Sequence, residues 1–245
     1  MEIRDRVAFV SGGGSGIGRA SVLALAARGA AVVVADVEES RAASVVDEVK
    51  AAAGKAVPAR CDVTRSDDLE AGFDLAISTF GRLDIAFNNA GIGDEDLFAP
   101  SDQGWRPMVA VNLAAVIDAT RVAVLRMRER SGGVIVNTAS LIGLEPVSFA
   151  PVYAATKAGV IGLTRSLANL KAESNIRVNA ICPEIVATPM TLNSGDPDIE
   201  RAAREGRLLA PEEIADALIE LIEDDNRAGA ILKVTIQGGR EYAAF

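Results

Sequence analysis

Seven short apolar, β-branched runs alternate with longer stretches of helical periodicity, and this rhythm restricts the possible folds more than any other feature of the chain. The runs are Val7–Val10, Ala31–Ala35, Ala56–Arg60, Ile85–Asn88, Val134–Thr138, Arg177–Ile181 and Ile231–Ile236. Between them lie Gly16–Arg28, Glu39–Ala53, Ser66–Phe80, Gln103–Arg130, Tyr153–Ala172 and Pro211–Asp224, each long enough for a helix. Strand, helix and strand repeated in this way build parallel strands joined by right-handed crossovers. Gly29 and Gly54 stand where helices end, and Ser66 with Asp67 where one begins. No linker or short-period repeat interrupts the pattern, so residues 1–245 read as one domain. Only Pro183–Ala210 lacks a clear pattern, and a loop of that length is usually a functional lid or disordered; 184–210 is read as a substrate lid.

Composition excludes several kinds of chemistry. Lys and Arg number 25 against 34 Asp and Glu, a net charge of −9 that disfavours nucleic acid or an anionic membrane as a partner. There is no His, so neither a Ser-His-Asp nor a Cys-His nucleophile system exists, nor a His-ligated metal. Acid–base work near neutral pH falls to Tyr, Lys, Cys or a carboxylate. Two cysteines, Cys61 and Cys182, are too few for a four-thiolate zinc site, and no metal site is expected. The start, MEIRDRVAFV, is charged where a signal peptide is apolar. The longest uncharged run, Ser131–Leu144, falls short of the roughly 18 apolar residues of a membrane span. The expectation is a cytoplasmic protein.

The first run leads into Ser11-Gly12-Gly13-Gly14-Ser15-Gly16-Ile17-Gly18, and helical periodicity begins at once. Glycines here permit a tight turn and close backbone approach, while the helix N-terminus offers unpaired N–H groups to a pyrophosphate. The spacing is GxxxGxG, through Gly12, Gly16 and Gly18. A plain flexible loop also suits so many glycines, but Asp36 argues otherwise. It ends the second run, where a dinucleotide-binding fold places the carboxylate that accepts the adenosine ribose hydroxyls. A carboxylate repels a 2′-phosphate, and the adjacent Val37 supplies no cation, so NAD is favoured over NADP.

Tyr153 and Lys157, four apart in a helical stretch, share one face. A tyrosine near its ordinary pKa of about 10 is a poor base at neutral pH, and a nearby ammonium favours its phenolate. Ser140 lies just past the fifth run, where ligand sites of open α/β sheets collect.

Taken with these residues, the chain resembles the short-chain dehydrogenase/reductase family over essentially its whole length. The family's glycine motif TGxxxGIG is matched by Ser11–Gly18, with Ser for Thr. Its Asp-Val after the third strand is matched by Asp62-Val63, its NNAG by Asn88-Asn89-Ala90-Gly91, and its structural helix Asn by Asn112. The resemblance implies a doubly wound Rossmann fold, with a single seven-stranded parallel sheet and helices on both faces. It also implies roles. Tyr153 is then the general base in alcohol oxidation, Lys157 holds the nicotinamide ribose and depresses the Tyr153 pKa, and Ser140 holds the substrate oxygen. Asn112 keeps a water in line with Lys157. Gly12, Ser15, Gly16, Ile17 and Gly18 hold the cofactor phosphates, Asp36 and Val37 the adenosine ribose, and Asp62 and Val63 the adenine. Asn89, Ala90 and Gly91 line the cofactor trough, with Pro183, Val186 and Thr188 around the carboxamide.

Some positions depart from the family pattern. Where it usually has Pro-Gly after the sixth strand, this chain has Pro183-Glu184. That Glu either faces solvent on a tolerant loop or aims its carboxylate into the site mouth. Near the end, IEDDNRAGAILKV resembles the tail of the 15-hydroxyprostaglandin dehydrogenase branch over a short stretch. Segments expected around the substrate are acidic Gly93-Asp94-Glu95-Asp96, then apolar Leu141, Ile142, Leu144, Pro146, Val147 and Phe149, then Ile185, Met190 and Leu192. They suit a neutral, largely apolar secondary alcohol or ketone, unless Arg201, Arg204 or Arg207 reaches in from the lid. The Tyr153–Ala172 helix is small or apolar on nearly every side, and a helix apolar all round is normally buried all round. It is therefore expected to pack in a homo-oligomer, a dimer or tetramer. The competing functions are an NADPH-dependent 3-oxoacyl-carrier-protein reductase and a non-catalytic nucleotide-binding protein.

Overall fold

The computed structural model describes residues 1–93, 97, 104–129, 132–145 and 147–244. Its strands are β1 (Val7–Ser11), β2 (Ala31–Asp36), β3 (Lys55–Arg60), β4 (Ile85–Asn88), β5 (Gly133–Thr138), β6 (Ile176–Pro183), β7 (Ile231–Thr235) and β8 (Gly239–Tyr242). The helices are α1 (Gly16–Ala27), α2 (Glu39–Ala51), α3 (Ser66–Phe80), α4 (Trp105–Val109), α5 (Ala115–Arg128), α6 (Pro151–Ser166), α7 (Leu170–Ser174), α8 (Pro189–Leu192), α9 (Pro197–Arg204) and α10 (Pro211–Glu223). One sheet carries every strand in the order β3-β2-β1-β4-β5-β6-β7-β8. The order reverses between β1 and β4, and the crevice at such a switch point is where open α/β sheets bind ligands.

Alternation along each strand divides the core between two faces. Ala8 and Val10, Val32 and Val34, and Val134 and Val136 face one side, packing with Leu25 of α1, Val46 of α2 and Leu218 of α10. Phe9, Val33, Ile135 and Val178 face the other, against Phe73 of α3 and Met127 of α5. The central strands are buried on both sides, which explains why they read as unbroken apolar runs.

Four features depart from the sequence reading. The expected seven parallel strands are joined by an eighth, β8, which runs antiparallel to β7. Gly239 at φ +66 and the Gly238 N–H bonded to Thr235 Oγ1 make the turn between them. The expected Gln103–Arg130 helix is α4 and α5 joined by one π-helical turn, Ala110–Ala114; its expected ends, Gln103 and Arg130, lie outside the described residues. Tyr153–Ala172 breaks after Ser166, and the bend rotates Leu170 into the second core face. The unpatterned segment after Pro183 contains α8 and α9. The Trp105–Arg128 stretch is as long and apolar as a membrane span. Its apolar side is spent on the sheet, with Ala119, Val122, Ala123 and Met127 all buried there.

Candidate active site

The glycine turn after β1 is built for close approach. Gly12 and Gly16 hold positive φ (+62 and +49), and a Cβ on Gly18 would lie 2.0 Å from the Gly12 carbonyl oxygen. No side chain fits there, and the N-terminus of α1 opens directly onto this bare backbone. Ser11 Oγ accepts from the N–H groups of Asn89 (3.0 Å) and Ala90 (3.2 Å), while Asn89 Nδ2 donates to the Ser11 carbonyl (3.1 Å). These bonds lock the turn to the loop after β4. The hydroxyl kept by Ser in place of Thr is what makes them.

Asp36 ends β2 almost buried. Its Oδ2 accepts from Gly14 N–H (3.0 Å) and its Oδ1 from Glu38 N–H (3.0 Å), which fixes the carboxylate beside the glycine turn. Val37 next to it is exposed. Asp62 accepts from both the Thr64 hydroxyl (2.7 Å) and Thr64 N–H (3.0 Å), which hold its carboxyl below the usual range. A bare glycine cradle, a helix N-terminus and a pre-oriented carboxylate together fit a dinucleotide.

Lys157, on α6, is 3% exposed and donates to the Thr138 carbonyl oxygen at the end of β5 (2.8 Å). Burial pushes its pKa down to about 8. Its Nζ lies 5.4 Å from the centre of the Tyr153 ring, one turn earlier on the same helix face. Ser140 begins the 3-10 turn Leu141–Gly143, where its Oγ accepts from Ile142 N–H (3.3 Å). Cys182 Sγ sits near the Ser140 backbone N–H and Lys157, but burial raises its pKa to about 12, and it stays a thiol.

Asn112 occupies the π-helical turn and is fully buried. Its Oδ1 accepts from Ile92 N–H (2.9 Å) and its Nδ2 donates to the Ile92 carbonyl (3.0 Å). A Cβ on Gly91 would lie 3.4 Å from Asn112 Oδ1 and 4.0 Å from Lys157 Nζ. Gly91 is therefore the bare floor between the two. The extra backbone residue of a π turn commonly marks functional sites; here it aims an amide across to the β4 loop.

Glu184 turns away from the mouth. Its N–H donates to Val234 O and its Oε2 accepts from Ile236 N–H (2.9 Å), tying the segment after β6 to the end of β7. Thr188 caps α8, accepting from Thr191 N–H (3.3 Å), and its side chain lies against Gly16. Val186 pairs with Leu209, which anchors both ends of the expected lid. Arg201 and Arg207 are committed to Asp198 and Glu205 within the lid. Phe149, Ile185, Met190 and Leu192 are exposed apolar groups, while Asp94–Asp96 and Pro146 lie outside the described residues.

Sequence reasoning missed a buried polar chain behind the site. Asn88 Nδ2 donates to Asn137 Oδ1 (2.9 Å) and Thr120 Oγ1 (3.2 Å), and Asn137 Nδ2 donates to Thr164 Oγ1 (3.1 Å). The signal was Asn137, a polar residue inside an apolar strand. A recess of about 430 Å³ also opens at the opposite, N-terminal end of the central strands among Arg6, Arg82, Asp84 and Arg177. Its arginines are engaged by Asp84, Asp225 and the last carbonyls of α10.

A doubly wound sheet with a glycine turn at its switch point and a Ser-Tyr-Lys cluster across the crevice defines a nucleotide-dependent oxidoreductase scaffold. The short chain dehydrogenase family model matches residues 6–198, and the chain belongs to that family. Cyclohexanol dehydrogenase of Acinetobacter sp. is 38% identical over 91% of this chain and 90% of its own. The 3-oxoacyl-(acyl-carrier-protein) reductase of Thermotoga maritima is 34% identical over 98% of this chain and 99% of its own. Homo sapiens 15-hydroxyprostaglandin dehydrogenase (NAD(+)) is 35% identical over 100% of this chain and 96% of its own, so that resemblance extends well beyond the tail. Among solved structures, 7α-hydroxysteroid dehydrogenase complexed with NADH and 7-oxo glycochenodeoxycholic acid superposes with a TM-score of 0.90. It is 32% identical, covering 99% of this chain and 98% of that one.

Proposed function

We propose that the protein is an NAD-dependent dehydrogenase that interconverts a secondary alcohol and a ketone. The observation that carries this reading is Lys157, buried, 5.4 Å from the centre of the Tyr153 ring and bonded to the Thr138 carbonyl at the end of β5. The bound dinucleotide supplies the ring that accepts or returns hydride. Gly12, Ser15, Gly16, Ile17 and Gly18 hold its phosphates, Asp36 and Val37 its adenosine ribose, and Asp62 and Val63 its adenine. Asn89, Ala90, Gly91, Pro183, Val186 and Thr188 line the nicotinamide end.

Tyr153 takes the hydroxyl proton as the alcohol is oxidised and gives it back in reduction. Lys157 spends one of its three donors on Thr138 O, which leaves two for the ribose. Its positive charge favours the phenolate. Ser140 donates to the substrate oxygen as charge develops there. Asn112 fixes the loop that carries Asn89–Gly91 against α6.

Phe149, Ile185, Met190 and Leu192 around the mouth favour a neutral, largely apolar substrate. Residues 184–210 act as its lid within a single domain. The exposed Ala155, Ala158 and Gly162 side of α6, with Ile117 and Leu125 of α5, supports a homo-oligomer; light scattering giving a monomer mass at micromolar concentration would refute it. Two free, buried thiols suit the cytoplasm.

The similarity to the Thermotoga maritima reductase favours a second reading, reduction of a 3-oxoacyl-carrier substrate with NADPH. Asp36 opposes it. The test is a panel of cyclic and linear secondary alcohols with NAD+ and NADP+, run with wild type and Tyr153→Phe. Turnover with NAD+ that falls by about 10²-fold or more in the variant supports the proposal. Equal turnover in the variant refutes it.

A further inference from the structure

Charge at the adenosine end of the crevice is not confined to Asp36. A Cβ on Gly14 would lie 2.6 Å from Arg41 Cβ and 2.8 Å from Asp36 Oδ2, so the root of Arg41 and that carboxylate face each other across this glycine. Arg41 Nη2 is paired with Glu38 Oε1 at 2.8 Å, and both side chains are about half exposed (52% and 51%). Glu38 is in turn bound to Asp36 through its N–H. The other nearby cation, Arg60, is the register partner of Asp36 on β3 and leans toward Asp68 at 3.9 Å. Val37, the residue after Asp36, supplies no cation. The cation is one helical turn further on, held by its own carboxylate.

We propose that Glu38 and Arg41 form a charge gate that sets coenzyme choice together with Asp36. This rests on the dinucleotide reading above. Glu38 adds a second negative charge at the 2′ position of the adenosine ribose and keeps the guanidinium of Arg41 occupied, as Asp68 draws that of Arg60. A 2′-phosphate therefore meets two carboxylates and a neutralised arginine. An exposed ion pair costs little to separate, and a released guanidinium binds phosphate bidentately. With Glu38 neutralised, Arg41 turns to the 2′-phosphate while Asp36 continues to accept the hydroxyls of NADH.

The experiment is fluorescence titration of wild type, Glu38→Gln, Arg41→Gln and the double variant with NADH and with NADPH, at two salt concentrations. Glu38→Gln is expected to tighten NADPH about tenfold with NADH held within about twofold. The gain is lost in the double variant and shrinks at the higher salt. NADPH affinity unchanged in Glu38→Gln overturns the gate. So does a gain that persists in the double variant, which would make the effect simple loss of a negative charge. Wild type binding NADH and NADPH equally overturns the gate together with the role of Asp36, whereas wild type that discriminates while Glu38→Gln changes nothing overturns the gate alone. Binding of neither dinucleotide overturns both.

Discussion

Lys157 makes the stability of the cofactor-free protein depend on pH in an unusual direction. An ammonium that is free in the unfolded chain titrates near its ordinary 10.5, whereas burial brings the folded-state value to about 8. Between those values the unfolded chain binds more protons than the folded one, so stability rises with pH there. Below about 8 the buried charge exerts its full cost, and the cost is relieved as pH climbs toward 10.5. From about pH 7 to about pH 9 the linkage is on the order of 1 kcal/mol from this residue alone. Cys61 and Cys182, both raised to about 12, act in the opposite sense as pH nears their ordinary 9.0 and offset roughly half of that rise by pH 9, in wild type and variant alike. The assay is chemical denaturation of wild type and Lys157→Met at both ends of the window, at fixed protein concentration. The variant is expected to lack the rise, whatever its absolute stability. The same pH dependence in both proteins would refute the buried-ammonium argument.

Other perturbations have equally definite outcomes. Asn112→Leu takes both partners from the Ile92 N–H and carbonyl, at a partly exposed residue; it is expected to cost about 1–3 kcal/mol in denaturation and to weaken NADH binding. A loss under about 1 kcal/mol would mean that the tether is dispensable. Gly18→Ala puts a methyl group against the Gly12 carbonyl, and NADH affinity in a titration is expected to fall more than about tenfold. Glu184→Ala removes the acceptor of the Ile236 N–H, and thermal unfolding is expected to show a loss of about 1 kcal/mol or less. Its substrate KM stays unchanged; a large rise in KM would put the carboxylate in the mouth after all.

The central strands and most helices were legible because each carries its own period. Ser66–Phe80 has the boundaries its residues suggest, since Arg65 precedes it and Gly81 at φ +85 ends it. What escaped were features decided by neighbours. Nothing in the Ala110–Ala114 residues announces a π turn, which answers to the need to carry Asn112 across to Ile92. The break after Ser166 lies among good helix formers, and it is the burial of Leu170 that requires it. β8 escaped because Gly239–Tyr242 is only four residues long and mostly exposed, with no apolar run to mark it. At the site, residue types and order pointed to Ser140, Tyr153 and Lys157, and the structure sets Lys157 Nζ 5.4 Å from the Tyr153 ring centre. Partners did not show: Glu184 has two reasonable destinations from sequence, and only the proximity of Ile236 decides between them. Arg41 was missed for the same reason, since it reaches Gly14 only once α2 is laid against the turn.

Leu209 shapes what can change in this protein. Its N–H donates to the Ile185 carbonyl (2.9 Å) and its carbonyl accepts from Ala187 N–H (2.8 Å), so the chain leaves the sheet and returns at one fixed point. Everything between those two bonds is a cassette mounted on a frame that does not depend on its contents. Lengthening such a loop costs only about 0.6 kcal/mol per doubling. Under the proposed function, new substrates are thus reached by rewriting residues 189–208, while Thr188 against Gly16, the strands and the proton-transfer groups stay as they are.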